Sequence, residues 1–333
     1  MNSAQIWTVT QLTNHIQDQL EGHPPFQDLW LTGEISNPSQ FDATNPTTPF
    51  PAGTNWPPMG PRPQQNQYRP WTVEIPTLRC PSDPGVGLPA LGRTNYAMCL
   101  GDSFWVSVRG DKRFGAGGVA WKLHEESGWS RQSRAANRGV FTVHKDSKFR
   151  DILDGLSNTI AMGEIATDLG DRDIRTLPVQ ETTNDRAAVR DNPKHCAEVD
   201  LEIDPSRPRF WLPGLPLWSV LNGRGYRWSD HFVEMTGMHT ILPPNSEMCA
   251  DRNQGGEVLA PPSSRHQGGV HILMADGAVV FMTDSVEAGN SRAPMVWLNG
   301  TGAAAPGSGS PYGLWGALGT RANKETIEEQ LNQ

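Results

Sequence analysis

The stretch His266-Gln-Gly-Gly-Val-His-Ile-Leu-Met-Ala-Asp276-Gly277-Ala-Val-Val-Phe-Met282 decides the fold. Two apolar runs flank an Asp-Gly pair. That is a strong signature of a two-residue hairpin, because a type I′ turn needs positive φ at both central positions and glycine takes it without strain. With Asp276-Gly277 as the loop, Ala275 faces Ala278, Leu273 faces Val280 and His271 faces Met282. Val270, Ile272, Met274, Val279 and Phe281 then share one face. His266 lies beyond the paired region, at the open end. A catalytic or metal pair of His266 with Asp276 is disfavoured, since roughly ten residues of extended strand hold them about 30 Å apart. Each is expected to organise its own end of the hairpin.

Outward from this hairpin, the chain from about Trp71 consists of short apolar runs broken by turn residues. Strands are expected at 71–79, 94–99, 103–108, 139–143, 158–165, 208–212, 225–233, 269–275 and 278–283, with one short helix at 147–153. Asp146 or Ser147 caps that helix and Asp154-Gly155 stops it. Residues 171–207 read as a long polar excursion, 301–311 as a loop, and Lys324 to Leu331 as a terminal helical turn. Composition agrees: hydrophobic residues are 36% and charged residues 19%, with 34 Gly and 28 Pro, which suits many short strands better than a helical bundle. The twelve Trp read as large anchors over irregular β structure. The predicted class is α+β, mostly antiparallel.

Upstream the pattern differs. Val9, Leu12, Ile16 and Leu20 fall at helical spacing after Thr8, and Leu29, Leu31 and Ile35 alternate as in a strand. Residues 38–70 are rich in Pro, Asn, Thr and Gln and read as a linker. The expected division is 1–37, a helix-strand fragment; 38–70, the linker; 71–322, the β domain; and 323–333, a tail.

The formal net charge is −8, and no Lys or Arg occurs between Met1 and Pro61, so a phosphate-binding surface and a nucleic-acid partner are disfavoured. No apolar run reaches about 18 residues, and no basic-then-apolar leader is visible, so neither a membrane span nor a signal peptide is expected in this sequence. Cys80, Cys99, Cys196 and Cys249 form no Cys-x-x-Cys pair, which argues against a zinc ribbon. Two disulfides in an oxidising compartment or four buried thiols both fit. Of the three possible pairings, Cys196 with Cys249 and Cys80 with Cys99 is preferred.

Candidate chemistry is sparse. Glu164 reads as a buried carboxylate satisfied by backbone amides or as a cation ligand. Asp83, Asp102 and Asp154 sit in turns and offer oxygens to Ca²⁺, but no EF-hand spacing is present. His231, His239 and Cys249 fit no zinc spacing. Gly115-Ala-Gly-Gly118 lacks the Lys-Ser/Thr of a phosphate loop, and no nucleophile elbow occurs. Trp105, Trp121 and Trp129 make either a sugar-binding patch or core cover. No metal and no cofactor is expected, Ca²⁺ being the one ion left open.

The segment from Ser263-Ser-Arg-His266 to Asp276-Gly277 resembles the C-terminal His-x9-Asp-Gly motif of a planctomycete prepilin-like family carrying domain of unknown function 1559, of the SBP_bac_10 type. Other landmarks occur in the family's order: Cys80-Pro-Ser-Asp83, Thr94-Asn95-Tyr96, Gly139-Val-Phe141, Asp154-Gly155 with Asn158, Gly163-Glu164, Trp228, Asn245 with Cys249, and Trp315-Gly-Ala-Leu-Gly319. The resemblance spans about 71–320. It implies a pseudopilin-like β domain of the cell envelope or extracellular space, normally behind an anchoring helix, with pilin-like or envelope proteins as partners. It supplies no catalytic residue. Here that helix is replaced by residues 8–37, which look like the OB-fold opening of the exonuclease VII large subunit; taken at face value, such a start implies a cytoplasmic chain. The leading expectation is a non-enzymatic structural or binding module. A nucleic-acid binder and a solute or glycan binder are the alternatives.

Overall fold

The computed structural model describes residues 61–108, 110, 112–114, 121–123, 128–143, 145–180, 186–250 and 257–324. The expected helix and strand of residues 8–35, the exonuclease-like fragment containing them, the linker as far as residue 60, the Gly115–Gly118 loop and the terminal turn beyond Lys324 lie outside these. The chain divides into two compact units, Met1–Thr72 and Val73–Gln333. In the first, a 3₁₀ turn at Arg69–Thr72 sets Trp71 edge-on to Tyr68, and the indole N–H of Trp71 donates to the Pro61 carbonyl at 3.0 Å.

The second unit is α+β. Its described strands are β1 (Tyr96–Cys99), β2 (Lys112–Phe114), β3 (Trp121–Leu123), β4 (Ile160–Glu164), β5 (Val179–Gln180), β6 (Gly237–Met238), β7 (Cys249–Ala250), β8 (Val258–Leu259), β9 (Gly269–Met274) and β10 (Val279–Thr283). Its described α-helices are α1 (Gly128–Ala136), α2 (Arg186–Asp191), α3 (Val233–Thr236) and α4 (Gly313–Leu318). The main sheet has the order β10-β9-β4-β1-β6, and all its pairs are antiparallel except β1 with β6. Smaller ladders join β2 to β3 and β5-β7-β8. No described helix is long and apolar enough to cross a membrane.

The hairpin forms where the Asp-Gly pair places it, but its register is one residue from the expected one. Val280 faces Ile272, Phe281 faces His271 and Met282 faces Val270. The loop holds three residues, Ala275-Asp276-Gly277. The Gly277 N–H donates to the Met274 carbonyl at 3.0 Å, and the Met274 N–H donates to the Ala278 carbonyl at 2.8 Å. Gly277 takes φ +93° while Asp276 keeps a negative φ, so the turn is type I with a left-handed glycine, not type I′. The Asp276 carboxylate accepts the Ala278 N–H at 3.0 Å, which favours this longer loop. A shift of one residue exchanges the faces of a strand. Val280 and Met282 therefore join Val270, Ile272 and Met274 in the core, while Val279 is 66% and Phe281 44% exposed.

Trp315 and Leu318 of α4 lie in the core formed with this sheet, together with Ala97, Cys99 and Ile160. A second core surrounds the Cys196–Cys249 disulfide, with Trp211, Ile241, Leu242 and Tyr312. Strands expected at 94–99, 158–165, 269–275 and 278–283 are found; others are not. Residues 71–79 hold 3₁₀ turns, 103–108 form a turn with Val106 at φ 52°, and 225–233 lead into α3. Residues 139–143 and 208–212 make only isolated bridges, and 147–153 shortens to a 3₁₀ turn at Phe149–Asp151. At 103–108 a side chain-to-backbone bond stands where a ladder would: the buried Glu257 carboxylate accepts the Val106 N–H at 3.0 Å.

Candidate functional site

Glu164 ends β4, the middle strand of the main sheet, and its side chain is buried. One carboxylate oxygen, Oε2, accepts the backbone N–H of His271 at 2.7 Å and lies 3.0 Å from His271 Nδ1. The other, Oε1, lies 3.2 Å from His266 Nε2. The same His266 nitrogen is 3.6 Å from the Cys80 sulfur. One donor atom from each of Cys80, Glu164 and His266 thus falls within 4.8 Å of the other two. The two imidazoles stack edge to face at 5.0 Å, and Phe281 packs on the outer side of His271 at 5.2 Å. Tyr96 faces Glu164 across β1 and β4. Burial, and then the neighbouring Cys80 and Glu164, raise its phenol above the ordinary value.

The backbone around the cluster is fixed by side chains from distant segments. Asn95 accepts the Cys80 N–H at 3.0 Å and donates to the Ile165 carbonyl at 2.9 Å, joining the Cys80 turn to the end of β4. Asp83 accepts from the Thr167 amide at 2.8 Å and from its hydroxyl at 2.6 Å. Burial alone would raise the Asp83 carboxyl; the Thr167 and Gly85 bonds and the Arg79 charge outweigh it and hold it low. Ser264 accepts the His266 N–H at 3.0 Å and donates to the Gly269 carbonyl at 2.6 Å, which shapes the approach to β9. Asn245, at φ 60°, accepts the Ser264 N–H at 3.0 Å and a bond from Arg175 at 3.2 Å.

The family described as SBP_bac_10, a protein of unknown function (DUF1559), matches residues 37–289. The chain belongs to this family. The matched region takes in every residue of the Cys80, Glu164 and His266 cluster, and it begins at the last residue of the expected helix-strand fragment, taking in the whole stretch that reads as a linker. No curated protein and no solved structure matches the chain.

The remaining DUF1559 landmarks stand elsewhere. Asp154 accepts the backbone N–H groups of Asn323 at 2.8 Å and Lys324 at 2.6 Å, and Asn158 donates to the Asp154 carbonyl at 3.4 Å. Gly155 takes φ +95°, and the Thr159 carbonyl accepts the N–H of Ala275 at 2.8 Å, so this corner adjoins the Asp276-Gly277 loop. Trp228 donates its indole N–H to Val73 at 3.1 Å. His266 and Asp276 flank β9 on opposite sides, and Asp276 bonds within its own turn.

Two expectations need correction in this DUF1559 domain. Cys80 and Cys99 are not paired; both are free thiols. Cys99 is fully buried in β1 with its sulfur toward the Gly319 carbonyl, and burial pushes its thiol up to about 12, while Cys80 is half-buried beside His266. His266 does more than order the end of its hairpin, because it also contacts Glu164 and Cys80. The Ca²⁺ candidates are engaged otherwise: Asp102 pairs with Arg138, and Asp83 and Asp154 bond backbone amides. His239 is wholly buried, and Cys249 is in the disulfide. Trp105 and Trp129 lie under arginines, Arg186 being 4.6 Å from the first ring and 5.8 Å from the second. The side chain of Trp121 lies outside the described residues. His271 sits within an apolar run, and its one visible signal as a site residue is that it follows His266 by five positions.

Proposed function

We propose that this chain is a non-enzymatic module of the cell envelope, a structural or binding piece of a pilus-like assembly. The observation that carries the reading is the buried Cys196–Cys249 bridge, which ties the π-helical turn His195–Val199 to β7 inside the second core. Such bridges persist in oxidising compartments and are rare in reducing ones. The polar landmarks support it as well. Asp83, Asn95, Asp154 and Asn245 bond backbone groups of other segments, as residues that shape corners do.

Cell fractionation tests it, with thiols alkylated at lysis and peptides mapped by mass spectrometry. The reading requires the chain in the envelope or extracellular fraction with Cys196 and Cys249 oxidised, crosslinking there to pilin-like or envelope proteins. Recovery from the cytosol with both cysteines reduced overturns it.

A further inference from the structure

We infer that Cys80, Glu164 and His266 form a binding site for one divalent transition cation, of which Zn²⁺ is the best fit, with three protein ligands and one open position. The inference goes beyond the envelope reading and stands without it.

The distances suit the ion. Zinc bonds of about 2.0–2.2 Å to nitrogen and oxygen and about 2.3 Å to sulfur, at tetrahedral angles, place ligand atoms about 3.4 Å (N to O) and about 3.6 Å (N to S) apart. The corresponding separations are 3.2 Å from His266 Nε2 to Glu164 Oε1 and 3.6 Å from His266 Nε2 to Cys80 Sγ. The mixed sulfur, nitrogen and oxygen set selects a borderline cation over Ca²⁺ or Mg²⁺, which prefer oxygen alone.

A catalytic relay is the competing reading of Cys, His and Glu, and the geometry opposes it. In a relay the nucleophile and the acid contact different ring nitrogens. Here the sulfur and the carboxylate oxygen both address Nε2. With both partners on one nitrogen, no acid on the opposite ring nitrogen orients the imidazole toward the sulfur, as such a relay requires. Three donor atoms within 4.8 Å of one another form a set that one cation can bridge.

Each ligand is also held by a neighbour, as in built metal sites. His271 occupies Glu164 Oε2 with its backbone N–H and its ring, leaving Oε1 free to turn to the ion. Asn95 fixes the Cys80 amide, and Ser264 fixes the His266 amide. The site is open to solvent, the His266 side chain being 27% exposed. Cys80 is the half-buried member of the two free thiols, so its state can be read separately from that of Cys99.

The test uses the full chain with Co²⁺ as a spectroscopic probe and Zn²⁺ in competition with a chromogenic indicator. The expected result is one equivalent bound, with a thiolate-to-cobalt charge-transfer band that Cys80→Ser abolishes. Cys80→Ser and His266→Ala should weaken Zn²⁺ at least roughly 100-fold, and His271→Ala about 10-fold, in line with losses of ligands and of their supports. His231→Ala, at an exposed histidine outside the cluster, should change nothing. Near-ultraviolet circular dichroism checks that each variant is folded. Should Cys80→Ser misfold, alkylation of the wild type decides: Zn²⁺ must slow modification of Cys80, while Ca²⁺ must not. A folded wild type that takes up neither Co²⁺ nor Zn²⁺, uptake unchanged in Cys80→Ser and His266→Ala, or alkylation of Cys80 indifferent to Zn²⁺ overturns the inference.

Discussion

His266 and Glu164 meet at 3.2 Å, Nε2 to Oε1, although 102 residues separate them in the chain. The adjacency of β9 and β4 brings them together, and the Glu164 carboxylate then secures β9 through the His271 N–H at 2.7 Å. Glu164→Ala removes a buried carboxylate acceptor from the part-buried His271 amide, so a loss of about 2–3 kcal/mol is expected. His266→Ala, at a partly exposed ring, should cost about 1 kcal/mol or less. Urea unfolding of both variants, with unchanged m-values, is the check; equal losses would show that Glu164 does not anchor β9.

The register of the hairpin gives a second contrast. Met282→Ala, in the core, should cost about 2–4 kcal/mol, whereas Val279→Thr, on the open face, should stay within about 0.5 kcal/mol. The reverse ranking would restore the two-residue turn. Gly277→Ala, at φ +93°, should cost about 1 kcal/mol or more.

That contrast marks what the sequence made legible. The hairpin itself was visible, because an Asp-Gly pair between two apolar runs has few other solutions. Its register was not, because Val279-Val-Phe-Met282 is apolar at both parities and cannot say which face is buried. Strands of two residues, such as β5 and β7, carry no period to detect; they exist because β7 lies between β5 and β8. The cluster was hidden for a related reason. Cys80 lies 186 residues from His266 and neither makes a local metal spacing with Glu164, so only the order β9-β4-β1 assembles them.

The Cys196–Cys249 bridge closes 53 residues of sequence, for which the chain-entropy relation gives about 4 kcal/mol of stabilisation. Because both cysteines lie in the second core, reduction also places two thiols where a bond was. Dithiothreitol should therefore lower the urea midpoint of the wild type strongly and leave a Cys196→Ser, Cys249→Ser double variant unaffected. A wild-type midpoint indifferent to reductant would mean that the bridge adds nothing to stability.

The buried pair Glu234 and His239 sets opposing limits on stability with pH. Burial raises the Glu234 carboxyl from 4.5 to about 8, with Asp230 adding to it, so the folded state keeps a proton that the unfolded state gives up. Its contribution is whole below about pH 4.5 and is lost as the pH rises through about 8. Burial, and then the charge of Arg224, lower the His239 imidazole from 6.5 to about 3. Its contribution is whole above about pH 6.5 and is lost as the pH falls through about 3. Melting temperature across pH 3 to 9 should thus decline on both sides. Glu234→Gln should flatten the alkaline limb and His239→Gln should flatten part of the acid limb, where Asp83 and Asp173, both held low, also contribute. The slopes are the readout, since a buried amide shifts the height of the whole curve. An alkaline limb equally steep with Glu234→Gln would show that this carboxyl is ionised in the folded protein at neutral pH.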